Sequence, residues 1–288
     1  MPPRGLALIL HAGAGTYPKD RKRAFRIQKK LQAITAKGYQ LLKTHSAIEA
    51  VVQTVRWLED MPETNAGTGS ALQADGKARL SASLMEGRQM KFSGVINIEK
   101  VKNPILIAQL LQNEPDRLLA SQGASQFAQA RGFKLCDTRT QASTQRWKAL
   151  RASQKSGHYG TVGACALDER GHLAAATSTG GKGMEQAGRV SDSALPSGNY
   201  ANGFAAVSAT GLGEDIIEEA LASTLTVRAQ DLNSLEKAFR VTFQAARSRG
   251  RLVAAIGLDR SGNVFWDRTT EILYYSFKTP SRSGIFQV

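Results

Sequence analysis

The sequence predicts an α+β protein in which two stacked, mainly antiparallel sheets carry helices on their outer faces. Three observations lead there. Strand-like apolar runs cluster at both ends of each half of the chain, with helix pairs between them. Two hairpins follow one plan of strand, D-x-x-G turn, strand: TVGACALDERGHLAAATST from Thr161 and LVAAIGLDRSGNVFWDRT from Leu252. A polar, basic stretch over about 134–160 divides the chain immediately before Thr161. With 288 residues, 42% of them apolar, the chain can bury a core of this kind as one large domain or two ordinary ones.

Taken in order, LALIL at 6–10 is a continuous apolar run, as in a strand covered on both faces, and the loop HAGAGTYPKD follows. His11 is read as marking the strand end, its ring bonded to backbone, and not as a general base. Asp20 caps a basic helix with Ala24, Ile27, Leu31 and Ile34 at helical spacing. Ser46 with Glu49 forms a capping-box pattern that opens a helix over roughly 46–60. The stretch MPETNAGTGSALQADGKARLSASLMEG reads as loop, strand, Asp75-Gly76 turn, strand. Residues 103–130 open with Asn-Pro and turn helical. KLCDTRTQASTQRWKALRASQKSGHYG shows little apolar periodicity and reads as a linker, mobile in part. Beyond the first hairpin, helices are expected at about 214–228 and 232–249.

The net charge is +14, much of it from KDRKRAFRIQKK and RWKALRASQK. Such a surface attracts nucleic acid or anionic small molecules, or simply aids solubility. No zinc-finger, RNA-recognition or helix-turn-helix signature accompanies it, so specific nucleic-acid binding is not expected. Cys136 and Cys165 make neither a disulfide framework nor metal-ligand spacing, and Cys165 reads as a small core residue. No apolar run approaches the roughly 18 residues of a membrane span, and the apolar run near the start is too short for a signal peptide. A cytoplasmic protein without a membrane partner is expected.

Thr161 poses a chemical question. A threonine hydroxyl is a poor nucleophile until a base takes its proton, and one solution is a chain-terminal Thr whose own α-amine serves. That amine has a pKa near 7.7–8.0, in the useful range for general-base work at neutral pH. Thr161 is internal as encoded, so the chain must be cut between Gly160 and Thr161. Gly160 suits a cut, because it lacks Cβ and leaves its carbonyl open to the neighbouring hydroxyl. A strand threonine bonded to backbone is the bland alternative for the local string.

The wider pattern decides between them. The segments 8-LILHAGAG-15, 64-TNAGTGSAL-72, 81-SASLMEG-87, 101-VKNPILIA-108, 160-GTVGACALDERGHLAAATSTGG-181, 188-GRVSDS-193 and 207-VSATGLGE-214 occur in this order over nearly the whole chain. Together they resemble the plant-type asparaginase and isoaspartyl peptidase family of N-terminal-nucleophile hydrolases, which includes glycosylasparaginases and the threonine aspartase. The resemblance implies a four-layer αββα sandwich, a single domain over 1–288 autocleaved into an α chain, 1–160, and a β chain, 161–288. It implies Thr161 as nucleophile and its freed amine as base. Thr179 is implied as a second threonine bonded to the nucleophile, and Asn65 as a group that helps hold it. Thr210 and Gly211 are implied as the oxyanion hole, through a hydroxyl and a backbone N–H. Arg189 and Asp192 are implied as the grip on a substrate's α-carboxylate and α-ammonium. That selects L-asparagine and β-aspartyl dipeptides. The resemblance further implies a structural sodium ion on carbonyls of Leu58, Glu59, Met61, Thr64, Ala66 and Thr68, no organic cofactor, and a dimer of αβ units.

The chain departs from the usual pattern at Ala12, Ser81, Glu86 and Ser191, where relatives commonly have Gly, Asp, Asp and Gly, and these changes are expected around the cleft. Ala12 and the Thr64-Asn65-Ala66-Gly67 form also occur in the threonine aspartase. A site-specific endopeptidase of that kind is therefore one competing reading, and a non-catalytic basic binding protein of the same fold is another.

Overall fold

The computed structural model describes residues 5–16, 20–153 and 160–287. The first part of the chain forms β1 (Ala7–Gly15), α1 (Arg21–Leu41), α2 (Ala47–Glu59), β2 (Leu80–Glu86), β3 (Lys91–Ile98) and α3 (Pro104–Leu111). It continues through β4 (Leu118–Ala120), α4 (Ser121–Ala130) and α5 (Gln141–Ser153). The second part opens with β5 (Val162–Leu167), β6 (Leu173–Thr179), β7 (Asn199–Ala201) and β8 (Ala205–Gly211). Then come α6 (Gly213–Glu218), α7 (Leu221–Asp231), α8 (Leu235–Ser248), β9 (Val253–Asp259), β10 (Val264–Arg268), β11 (Ile272–Lys278) and β12 (Ser283–Ile285). Eight strands make a sheet in the order β12-β11-β1-β5-β6-β2-β3-β4, and four make a second in the order β10-β9-β8-β7. Every pairing is antiparallel except β3 with β4.

Strand alternation builds the four layers. On β1, Leu8 and Leu10 enter a core shared with α1 and α2, while Ala7 and Ile9 face the second sheet. Between the sheets, small side chains such as Cys165, Ala175, Ala206 and Ala254 alternate with larger ones such as Ile9, Ile256 and Leu258. On β8, Ala205, Val207 and Ala209 face the opposite way and pack under α7 and α8 with Phe239 and Phe243. The αββα sandwich is present.

Both D-x-x-G turns form for one reason. Asp168 Oδ1 accepts from the backbone N–H of Arg170 and His172, and Asp259 Oδ1 accepts from those of Ser261 and Asn263. Gly171 and Gly262 each take the positive φ that closes the turn. The second oxygen of Asp168 accepts from Ala47 N at 3.1 Å, which ties the hairpin to the start of α2. The caps expected at Asp20 and at Ser46 with Glu49 are both made.

Several expectations are corrected. β1 does not end at Leu10: it runs to Gly15 past an irregularity between His11 and Ala14, so His11 lies inside the strand. The strand expected before Asp75-Gly76 does not form. Its backbone groups bond a neighbouring loop instead, through Ala74 N to Glu185 O and Met184 N to Leu72 O. The expected helix at 214–228 is two helices, broken where Ala220 adopts a left-handed backbone.

The polar stretch at 134–160 is not all linker. It contains the 13-residue helix α5, opened by a reciprocal pair in which Ser143 N donates to Thr140 Oγ1 and Thr140 N to Ser143 Oγ. Trp147 docks the helix by donating from its indole N–H to Gln73 O at 2.9 Å. Its ring covers Gly76, where a Cβ would come within 3.2 Å. Residues 154–159 of the same stretch lie outside the described residues.

Candidate active site

β5 and β6 are neighbours in the large sheet, with Gly163 opposite Thr177, and this register carries Thr161 and Thr179 to the same edge. The Thr161 hydroxyl donates to Thr179 Oγ1 at 3.4 Å. Thr179 Oγ1 in turn donates to Gly160 O at 3.0 Å and accepts from Gly181 N at 3.1 Å. Asn65 arrives from the loop after α2. Its Nδ2 donates to Gly160 O at 2.9 Å and also to Gly181 O, while its Oδ1 accepts from Ala71 N at 2.7 Å. With three partners, that amide cannot turn away. The carbonyl of Gly160 thus receives two side-chain donors, and Thr161 is buried beside them.

Under Thr161 runs a polar seam between the sheets. His11 Nε2 is bonded to Ser208 Oγ at 2.9 Å, and Ser208 Oγ to Thr177 Oγ1 at 2.7 Å. Burial drives the His11 pKa down to about 3, against a backbone hydrogen bond with Thr161, so the ring is neutral at physiological pH. Its main partner is thus a hydroxyl of the facing sheet, alongside a weaker 3.4 Å bond from Gly13 N. Gly163 must be glycine here, since a Cβ would sit 2.0 Å from Ser208 Oγ.

Two residues beyond Ser208, on the same face of β8, lies Thr210. Its hydroxyl is buried and has no hydrogen-bond partner among the described residues. Gly211 follows at φ +136°, and a Cβ there would meet Leu252 O at 2.4 Å. The chain then passes Gly213 into α6. A Cβ on Gly213 would lie 2.4 Å from Arg189 Nη2 and 2.7 Å from Asp192 Oδ1, so the bare glycine makes room for both.

Arg189 is already occupied. Its Nε and Nη2 donate to the two carboxylate oxygens of Glu214 at 3.0 and 3.1 Å. Lys182 Nζ reaches the same carboxylate at 3.0 Å. Burial works to raise the Glu214 pKa, but these two cations outweigh it and hold the carboxyl well below its usual range. Asp192 goes the other way: burial pushes it up to about 6 despite Arg189 and the Ser191 hydroxyl, which donates to Oδ1 at 3.1 Å. Lys182 follows Gly181, so the Lys182–Glu214 link joins the threonine cluster to the arginine cluster.

A cleft of about 750 Å³ opens beside Gly160 and Asn65, walled on one side by Arg146 and Trp147 of α5. That volume is typical of small-ligand sites, roughly 300–1,000 Å³. An asparaginase family model matches residues 4–286.

The chain belongs to the asparaginase family.

Members of this family are hydrolases. The chain is 41% identical to an isoaspartyl peptidase/L-asparaginase of Synechocystis over 96% of its own length and 89% of the relative's. It is 34% identical to an isoaspartyl peptidase of Escherichia coli over 98% of the chain and 97% of that protein. It is also 34% identical to a plant-type L-asparaginase of Pyrococcus abyssi, over 94% of the chain and 96% of the relative. Among the described residues no helix is long and apolar enough to cross a membrane.

The departures from the asparaginase pattern do not all lie together. Ala12 lines the cleft and Ser191 caps the single turn that carries Asp192. Ser81 pairs with Thr179 across β2 and β6. Glu86 is different: it accepts from Arg88 N and Gln89 N in the β2–β3 turn, at the far end of β2 from Ser81. Sequence reasoning also missed the buried Glu59 side chain. Its Oε1 accepts from Ser178 Oγ at 2.7 Å and Ile105 N at 3.1 Å, one residue from Thr179, and burial raises its pKa to about 8. Only a buried Glu at the end of an apolar helix face, as the spacing of α2 implies, hinted at it.

Proposed function

We propose that this protein is a self-processing amidohydrolase that releases L-aspartate from L-asparagine and from β-aspartyl dipeptides, with Thr161 as its nucleophile. The observation that carries the reading is the pair of donors on Gly160 O, set beside the Thr161 hydroxyl. Attack by Thr161 Oγ1 on the Gly160 carbonyl carbon would place negative charge on that oxygen. Asn65 Nδ2 and Thr179 Oγ1 already point at it, at 2.9 and 3.0 Å. Pre-aimed donors of this kind are each worth about 2.7–4 kcal/mol in a transition state. The Thr161 hydroxyl donates to Thr179 Oγ1, which gives its proton a route toward the oxygen being charged. The C–N bond then breaks, the amine of Thr161 leaves protonated, and water hydrolyses the ester to free the hydroxyl.

After the cut the same hydroxyl has its own amine as base. The unpartnered Thr210 hydroxyl and the backbone N–H of Gly211 would receive the oxyanion of the substrate's β-carbonyl. Arg189 and Asp192 would hold the α-carboxylate and α-ammonium. Because Glu214 fills the Nε–Nη2 edge of Arg189, the substrate carboxylate takes the remaining N–H groups, and Glu214 keeps the guanidinium in place.

A structural sodium ion fits the loop that bears Asn65. A Cβ on Gly67 would lie 2.5 Å from Glu59 O and 2.9 Å from Lys102 O, so carbonyls converge there. The Thr64 hydroxyl lies 2.7 and 2.8 Å from the carbonyls of Leu58 and Met61, which brings these two oxygens together beside the loop. Carbonyls of Leu58, Glu59, Met61, Thr64, Ala66 and Thr68 would hold the ion, which supplies no chemistry beyond stiffening the loop. An assembly of two cleaved units in the cytoplasm belongs to the same reading.

The test is direct. Mature protein should give fragments of residues 1–160 and 161–288 on a denaturing gel, the second beginning Thr-Val-Gly, and should release ammonia from L-asparagine. Thr161→Ala should stay full length and inactive. A wild-type chain that remains whole after long incubation would remove the basis for the mechanism.

A further inference from the structure

The cleft beside Gly160 is larger and more basic than an asparagine side chain requires, and the excess lies on α5. Arg146 is half-buried in its wall and has no carboxylate or hydrogen-bond partner among the described residues. Arg23, from the first turn of α1, lines the same cleft. Among the described residues its side chain makes one hydrogen bond, from Nη2 to the Glu63 carbonyl, and the acid nearest its charge, Glu63, is bonded to Lys30. The other charged groups there are accounted for differently. Lys182 is held by Glu214, Glu63 is held by Lys30 at 2.5 Å, and Glu271 contributes one further acid. Burial, together with the charge of Arg23, disfavours the cationic form of Arg146. An incoming anion would relieve that cost. Trp147 and Tyr274 add flat apolar walls.

The position of this pair matters for the reaction. The leaving amine of a β-aspartyl dipeptide must take its proton from the α-amine of Thr161, which occupies the place where Gly160 was bonded. The leaving residue therefore lies on the Gly160 side of the nucleophile, away from Arg189 and Asp192, and the cleft opens there. We infer that Arg146 and Arg23 form a subsite for an anionic leaving residue, so that the protein prefers β-aspartyl dipeptides whose second residue is acidic. Such a residue carries a side-chain carboxylate beside its terminal one, and the two guanidinium groups match the two charges. The inference rests on the proposed role of Thr161. L-Asparagine, whose leaving group is ammonia, makes no use of this subsite.

The experiment compares kcat/KM for β-aspartyl-glutamate, β-aspartyl-leucine, β-aspartyl-lysine and L-asparagine in the mature wild type, Arg146→Ala and Arg146→Glu. In the wild type the glutamate dipeptide should exceed the lysine dipeptide by at least roughly tenfold, as expected for one charged hydrogen bond. That preference should shrink with added salt. Arg146→Ala should collapse the ratio, mainly through KM, and Arg146→Glu should invert it. A ratio near one in the wild type, or a ratio untouched by both substitutions, would overturn the inference while turnover of L-asparagine and the leucine dipeptide upholds the function. Failure of the wild type on all four substrates would instead reject the function, and the subsite with it.

Discussion

Asp192 is the residue whose chemistry is most open to titration. To accept a substrate ammonium it must be ionised, yet burial raises its pKa to about 6. Raising the pH from 5 to 7 therefore creates the carboxylate, while the ammonium of free L-aspartate stays protonated throughout this window. Affinity for the product L-aspartate should rise over this window and level off above it. Binding is the better readout than turnover, because the Thr161 amine proposed as base would impose its own acid limb on activity. Calorimetric titration of L-aspartate at pH 5, 6 and 7 should show the rise in wild type. It should show weaker, flat binding in Asp192→Asn, down by roughly ten- to a hundredfold at pH 7. Equal pH dependence in both proteins would mean that another group governs the head-group site. The neighbouring Ser191 donates to Asp192 Oδ1 and favours its ionised form, a role that the glycine common in relatives has no side chain to play.

Among the elements, the loop after α2 is the one whose fit to an ion can be weighed. A ligand that binds only the folded state adds RT ln(1 + [L]/Kd) to stability, about 2.7 kcal/mol at a hundredfold excess. Replacing sodium by a bulky organic cation at constant ionic strength should lower the melting temperature, and added sodium should restore it with saturation. A melting temperature indifferent to the cation would leave the carbonyls satisfied by the donors of Met61, Thr64 and Thr68. This loop also shows what a sequence can reveal. Asn65, Thr161 and Thr179 were legible because each sits in a compact motif whose chemistry is local. The caps at Asp20 and Ser46 and the two D-x-x-G turns were legible for the same reason. α5 was not, because its fully buried side chains amount to Ser143 alone and its docking depends on one indole meeting Gln73 and Gly76. The Glu214 fork on Arg189 was hidden likewise, 25 residues away and visible only when α6 folds beside it. The three-residue strands β7 and β12 take their identity from the neighbours they pair with, which no local pattern states.

At the scale of the whole molecule, the proposed cut meets the order of strands in the large sheet. β1 belongs to residues 1–160, yet it lies between β11 and β5, both of which belong to residues 161–288. On the other side β6, from the second part, pairs with β2, from the first, from Ser81↔Thr179 to Glu86↔Ala174. Separating the fragments would break the seams β11–β1, β1–β5 and β6–β2 and expose the layers above and below them. On β1, Leu8, Ile9 and Leu10 are fully buried across these layers, each worth about 1.5–3 kcal/mol relative to exposure. Dissociation and unfolding should therefore be one event. Fully cut protein should elute from a sizing column in native buffer at the volume of the uncut Thr161→Ala chain, and should split into two fragments only at the denaturant concentration where its circular dichroism is lost. Fragments that part in native buffer would contradict the interleaved sheet. The same interleaving explains how a cut can precede catalysis without dispersing the site. β5 is clamped between β1 and β6, so a new terminus at Thr161 would be held beside Thr179 once the peptide bond to Gly160 is broken.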